Sequence, residues 1–290
     1  MTVQNTDISS YYQESFLSKL VYADDTTLPE IKVGVPLKDT FSGNNYRVIK
    51  SVDSTSGYQG YAFQNTTTGE VIISHRGTES AKDWFADAQI GVNAVPDQVK
   101  DAIEFNKAVI AQLNTESQTS VDPSTIKQTG HSLGGGIAQI VSVMNNSQAV
   151  TFNAPIVGHL LNDLDDEYSS GEFSNVDLDA VKNNIVEIRE KDDVVSTIPP
   201  YADHLGNVVT VDIPTPIDKY SNNVLLKSLA GALNLGLEIY NAVDSHGMGY
   251  MLEYTKSQLE NRDLEEQIID QYYNDVMGIL RSSFEENMQQ

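Results

Sequence analysis

Cysteine is absent from the 290 residues, which excludes disulfides, thiolate metal ligation and a cysteine nucleophile. Basic residues are scarce. Lys and Arg number 18 against 41 Asp and Glu, for a net charge of −23. Such a surface repels phosphate backbones and excludes nucleic acid as an expected partner. It also weakens adsorption to anionic membranes, leaving transient contact with a lipid interface as the membrane association to expect. Long apolar runs are missing too. Nothing approaches the roughly 18 uninterrupted apolar residues of a membrane-spanning helix, so no transmembrane segment is expected. Met1 to Ser10 carries neither a positive cluster nor an apolar core. No signal peptide is therefore read there, and the expectation is a soluble protein, cytoplasmic or exported by a signal-independent route. The acidic stretch Asn162 to Asp179 holds Asp163, Asp165, Asp166 and Glu167. It lacks the glycine that a calcium loop needs at its sharp turn, so it reads as a solvated loop and no metal is expected.

Neither an internal repeat nor a low-complexity linker interrupts the chain, so residues 1–290 are expected to form one domain. Tyr12, Phe16, Leu17, Leu20 and Val21 recur at helical spacing within Ser9 to Tyr22. Short β-like runs follow at Tyr46 to Val52, Tyr58 to Phe63 and Glu70 to Ser74, the last after the turn Asn65 to Gly69. They predict an antiparallel meander feeding a larger sheet. Pro96 to Leu113 reads as a helix. Ser124 to Thr129, Ala149 to Phe152, Ile185 to Ile188 and Val208 to Ile213 read as strands. Strands alternating with helices predict an α/β fold with a mostly parallel central sheet flanked by helices. From about Tyr254 to Gln290 the tail reads as an amphipathic helix.

Chemistry concentrates at Gly130-His131-Ser132-Leu133-Gly134. Gly-x-Ser-x-Gly between a strand and a helix places a serine on a sharp, strained turn with no room for side chains beside it. Ser124 to Thr129 supplies the strand, and Ile137, Ala138, Ile140, Val141, Val143 and Met144 supply an apolar helix. A serine hydroxyl becomes a nucleophile only when an imidazole takes its proton and a carboxylate orients that imidazole. On α/β-hydrolase sheets the order is Ser, acid, His. Of the five histidines, that order sets aside His75, His131 and His159 and leaves His204 and His246. The acid belongs in a loop after a core strand, where Asp192 and Asp193 follow Ile185 to Ile188. Leu133, directly after the serine, should lend its backbone N–H to an oxyanion hole.

Four motifs in order resemble the class 3 lipases of the α/β-hydrolase superfamily. They are Arg76-Gly77-Thr78 with Asp83-Trp84, Gly130 to Gly135, Phe152-Asn153-Ala154-Pro155, and Asp193 to Pro200. The resemblance spans roughly residues 46 to 250. It implies an α/β-hydrolase fold and a serine carboxylic ester hydrolase working through an acyl-enzyme. Ser132 resembles the nucleophile, Asp193 the acid and His246 the base, with Asp192 one residue out of register. The second oxyanion donor falls on Thr78. Arg76 reads as structural, pairing with Asp83 or Asp87. Trp84 and His131 stand as candidates for lining the acyl site.

Fungal members carry an amphipathic lid after Asp-Trp, whereas this chain runs through Ala88 to Pro96 directly into a helix. That shorter form resembles bacterial lipases and phospholipases A1. Val224 to Tyr240, with Leu225, Leu229 and Leu233 on one face, is a candidate lid or an ordinary core helix. The expected substrate is a lipid acyl ester, either a triacylglycerol or a phospholipid, and the reaction needs no cofactor. Short-chain or aryl esters, a delivered phospholipase toxin and a silent binding module are the alternatives.

Overall fold

The computed structural model describes residues 7–22, 31–77, 97–161, 164, 178–191, 193, 195–197, 202–213 and 248–260. Among these residues, eight strands form one sheet in the order β1 to β8. They are β1 (Pro36–Lys38), β2 (Asn45–Asp53), β3 (Gln59–Asn65), β4 (Val71–His75), β5 (Ile126–His131), β6 (Ala149–Phe152), β7 (Ile185–Glu190) and β8 (Asn207–Val211). β1 to β4 pair antiparallel, and β4 to β8 pair parallel. This is the α/β-hydrolase arrangement expected from the sequence, with the meander at its amino-terminal side.

The helices are α1 (Tyr12–Leu20), α2 (Asp97–Ser117), α3 (Leu133–Asn145), α4 (Leu178–Asn184) and α5 (Met248–Glu260). They lie on the two sheet faces because strand side chains alternate between them. Ile73, Ile126, Ala149 and Ile185 pack with Val99, Ile103 and Val109 of α2 and Ile137, Ile140 and Val141 of α3. Their neighbours point the other way. Ile72 packs with Phe16 and Leu17 of α1, and Val150, Phe152 and Ile188 pack with Met251 and Tyr254 of α5. Covered on both faces, β4 and β6 are buried along their whole length, as parallel strands in such layers are. α3 is apolar nearly all round because it lies between the sheet and α2.

Several boundaries differ from expectation for local reasons. Asp122 accepts from the Ser124 N–H and a 3-10 turn occupies Pro123–Thr125, so β5 starts only at Ile126. It then runs on through Gly130 and His131, which pair with Thr151 and Phe152. β1, only three residues long, and α4, at the end of the acidic stretch, carry too little pattern to be read in advance. α5 begins at Met248, ahead of the expected start near Tyr254. Residues 261–290 lie outside the described residues.

Candidate active site

Ser132 occupies the turn between β5 and α3 with φ 57° and ψ −132°. Left-handed φ is costly for a residue with a Cβ and persists only when its surroundings over-determine it. They do so here. The Ser132 N–H donates to Phe152 O at 3.0 Å, and Ser132 O accepts from the N–H groups of Gly135 and Gly136 at 2.9 and 3.2 Å. The flanking glycines answer to space. A Cβ on Gly130 would lie 2.4 Å from Gly134 C, and one on Gly134 would lie 2.1 Å from His75 O. The turn is therefore pressed against the end of β4, and only hydrogen atoms fit at those two contacts.

Ser132 is 3% exposed, and its Oγ has no hydrogen-bond partner among the described residues. Buried hydroxyls are nearly always bonded, so one without a partner among the described residues, on a strained turn, stands out. Leu133 opens α3, where the first N–H groups of a helix have no partner within it. His131 is buried. Its Nδ1 lies 2.8 Å from Tyr22 Oη, and the two rings meet edge to face.

Asp193 follows β7 at 2% exposure. Its carboxylate accepts from the N–H groups of Val195 and Ser196 at 3.3 and 2.8 Å, and its own N–H donates to Glu190 O at 3.3 Å. Asn153 anchors this corner. With φ 45°, it donates its N–H to Ile188 O at 2.9 Å and accepts the Glu190 N–H on Oδ1 at 2.8 Å. The Phe-Asn-x-Pro turn after β6 therefore sets the level at which β7 ends and the Asp193 loop begins. Ser132 and Asp193 both follow the carboxyl ends of parallel strands, on one end of the sheet.

Two other histidines, His75 and His204, are held elsewhere. The His75 ring is fully buried between Tyr58 Oη at 2.8 Å and Gln128 Oε1 at 3.0 Å, and burial pushes its imidazole down to about 4. His204 Nδ1 lies 2.6 Å from the buried Glu187 carboxylate, which also accepts the Gly206 N–H. It precedes the amino end of β8, at the opposite end of the sheet from Ser132. Arg76 donates to Gln59 Oε1 at 2.6 Å, with its guanidinium 5.7 Å from the centre of the Tyr22 ring. Thr78, Asp83, Trp84, Asp87, Asp192, Leu225, Leu229, Leu233 and His246 lie outside the described residues.

Tyr22 and Asn153 escaped sequence reasoning as site residues. Tyr22 meets His131 across 109 positions of sequence, and nothing local marks the end of an amphipathic helix as a neighbour of the serine. Asn153 was visible in its motif, but its bond to Glu190 depends on the parallel register of β6 and β7. Among the described residues, no group of three or more His, Asp or Glu could hold a metal ion, and no helix is long and apolar enough to cross a membrane.

Residues 13–188 match a family described as phospholipase-like, the Tle-like phospholipase domain. The matched stretch contains Ser132 and ends before Asp193. An extracellular phospholipase A1 of Serratia liquefaciens is 28% identical over 102 residues, covering 35% of this chain and 28% of that protein. Among solved structures, the Lip2 lipase of Yarrowia lipolytica superposes with a TM-score of 0.46 at 21% identity, over 73% of this chain and 82% of that one. A triacylglycerol lipase of Penicillium expansum gives 0.46 at 16% identity, over 72% and 82%.

Proposed function

The chain belongs to the phospholipase-like family of the Tle-like phospholipase domain, and from that membership we propose that it hydrolyses lipid acyl esters, phospholipids foremost, through an acyl-enzyme on Ser132. The observation that carries the proposal is the Ser132 hydroxyl, buried and unpaired among the described residues, on a turn at φ 57°. The likeness to a phospholipase A1 over part of the chain favours the phospholipid ester over the glyceride.

In this reading the Ser132 Oγ–H passes its proton to His246 as Oγ attacks the acyl carbonyl carbon. Asp193 orients His246 and stabilises the imidazolium, the role a buried, hydrogen-bonded carboxylate suits. The oxyanion of the tetrahedral adduct accepts from the backbone N–H groups of Leu133 and Thr78. Each such donor is worth on the order of 3 kcal/mol of barrier. Collapse breaks the bond to the alcohol, which leaves as a lysolipid carrying the proton returned by His246. Water activated by the same imidazole then cleaves the acyl-enzyme, releasing the fatty acid and restoring the Ser132 hydroxyl. What supports His246 over His204 is the contact of His204 Nδ1 with the Glu187 carboxylate at the far end of the sheet.

The test is hydrolysis of soluble short-chain esters, glyceride emulsions and position-labelled phospholipid vesicles by the wild type and Ser132→Ala. Loss of at least a thousandfold in the variant, with fatty acid released from phospholipid by the wild type, is the expected result. Equal rates for the two proteins would refute the mechanism. Turnover of short soluble esters alone would remove the lipid substrate.

A further inference from the structure

The Tyr22 hydroxyl lies where three parts of the site converge. Oη is 2.8 Å from His131 Nδ1 and 3.4 Å from His131 O, the carbonyl of the peptide that leads into Ser132. A Cβ on Gly77 would fall 2.5 Å from that same Oη, 2.8 Å from His131 O and 3.3 Å from Ser132 Cβ. The backbone of Gly77, whose next peptide leads to Thr78, is thus wedged between the Tyr22 hydroxyl and the serine. The guanidinium of Arg76 faces the Tyr22 ring and is itself fixed to Gln59.

Tyr22 is held firmly enough to serve as a stop. Its N–H donates to Lys19 O at 3.1 Å, closing the last turn of α1. α1 is tied to the strands that carry Gly77 and Ser132. Ser74 Oγ donates to Leu17 O at 3.1 Å, and the Ser18 and Thr129 hydroxyls meet at 2.8 Å. Leu17 and Leu20 are buried against the same face. The helix cannot shift without breaking hydroxyl bonds to both β4 and β5.

We infer that Tyr22 is a positioning residue of the esterolytic site: its hydroxyl pins the His131–Ser132 peptide and sets the distance between the serine and the strand end at Gly77. The inference rests on the proposed role of Ser132. Its chemical content is that the hydroxyl acts on the transition state through the backbone it holds. Where an oxyanion forms, its donors must sit within a few tenths of an ångström of their working positions. Tyr22→Phe keeps the ring, its packing and the Arg76 contact while removing the bond.

The experiment compares wild type, Tyr22→Phe, His131→Leu, the double variant and Ser132→Ala. Steady-state hydrolysis of the best ester is measured alongside the rate of labelling by a fluorophosphonate. The concentration of folded sites is normalised by burst titration for the proteins that turn over. For Tyr22→Phe, kcat and the labelling rate fall together about tenfold, the size of one hydrogen bond, while KM stays within about twofold. His131→Leu removes the Nδ1 partner of the same hydroxyl and leaves the carbonyl contact, so its kcat falls no further than that of Tyr22→Phe, and the double variant falls no further than Tyr22→Phe. This arm carries the test should Tyr22→Phe not fold. A lowered thermal midpoint with kcat per folded site unchanged, a raised KM with kcat unchanged, or independent effects in the double variant would each overturn the inference. Labelling or turnover retained by Ser132→Ala would instead refute the nucleophile, so the two failures are distinguishable.

Discussion

His75 makes the protein's stability depend on mild acid in a way the structure quantifies. Its ring is fully buried at the carboxyl end of β4. Gln128 donates its amide to Ile126 O at 3.2 Å, which turns Oε1 toward His75 Nε2. Nε2 therefore carries the hydrogen, and Nδ1 accepts from Tyr58, whose hydroxyl burial holds well above the usual phenol range. That pattern accommodates the neutral ring and leaves a second N–H without an acceptor. Burial accordingly pushes the imidazole from 6.5 to about 4. In the unfolded chain it titrates normally, so between those values the unfolded state holds more protons than the folded one. The ring's share of stability is full above about pH 6.5 and is lost as pH falls toward 4. The whole gap corresponds to about 3 kcal/mol, and about 2 kcal/mol of it is gone by pH 5.

The variant to compare is His75→Gln, which bonds but does not titrate. Urea unfolding at pH 7.5 and pH 5 should show the wild type losing about 2 kcal/mol more than the variant across that interval. The constant cost of substituting the ring cancels in this difference. So does Glu14, whose carboxyl is pushed up by burial and contributes with the opposite sign in both proteins. The His75 ring protons should titrate by NMR with a midpoint near 4. A midpoint at 6 or above, or parallel stability–pH curves for the two proteins, would refute the reasoning.

Two further substitutions probe how the site is held. Gly134→Ala would bring a Cβ within 2.1 Å of His75 O and 2.8 Å of Arg76 C, both of them backbone atoms that cannot swing aside. It should cost about 3 kcal/mol or more in thermal unfolding and abolish esterolysis, whereas Gly43→Ala, where a Cβ meets nothing, should keep full kcat. Asn153→Ala removes the acceptor of the buried Glu190 N–H and should cost about 1–3 kcal/mol. Because Glu190 O in turn holds the Asp193 N–H, kcat should fall with it, and Asn153→Gly, which tolerates the φ of 45° but also lacks the bond, should recover stability more than rate.

Most of the fold was legible because it rests on short-range pattern. The meander announced itself through alternating strands and the turn at Asn65 to Gly69, and the parallel half through apolar runs separated by helices. The Ser132 turn was legible for a different reason. Gly130 and Gly134 are dictated by contacts made within a few residues and with the adjacent strand, so a five-residue motif carries the geometry. Long-range polar contacts were not legible. The Tyr22–His131 bond, the Ser18–Thr129 bond and the Asn153–Glu190 bond join residues whose separation in sequence, from 37 to 111 positions, is set by how the sheet is threaded. Glu187 could not be distinguished from a surface carboxylate until β7 was seen to be covered on both faces, with His204 and the Gly206 N–H against it.

These contacts explain why the serine can be both strained and buried. A non-glycine residue at a φ of 57° stands about 1–3 kcal/mol above its relaxed state. A buried hydroxyl without a partner among the described residues adds a cost of similar size. No single neighbour offsets that sum. Phase by phase along the sheet, β6 takes the Ser132 N–H, α3 returns two N–H groups to its carbonyl, β4 presses on Gly134, and α1 delivers Tyr22 to the preceding peptide. Each element contributes stability gathered elsewhere in the core. The Ser132 turn is accordingly the point where both helical layers and three strands meet. Loosening any one of them should reach Ser132 before it unfolds the protein.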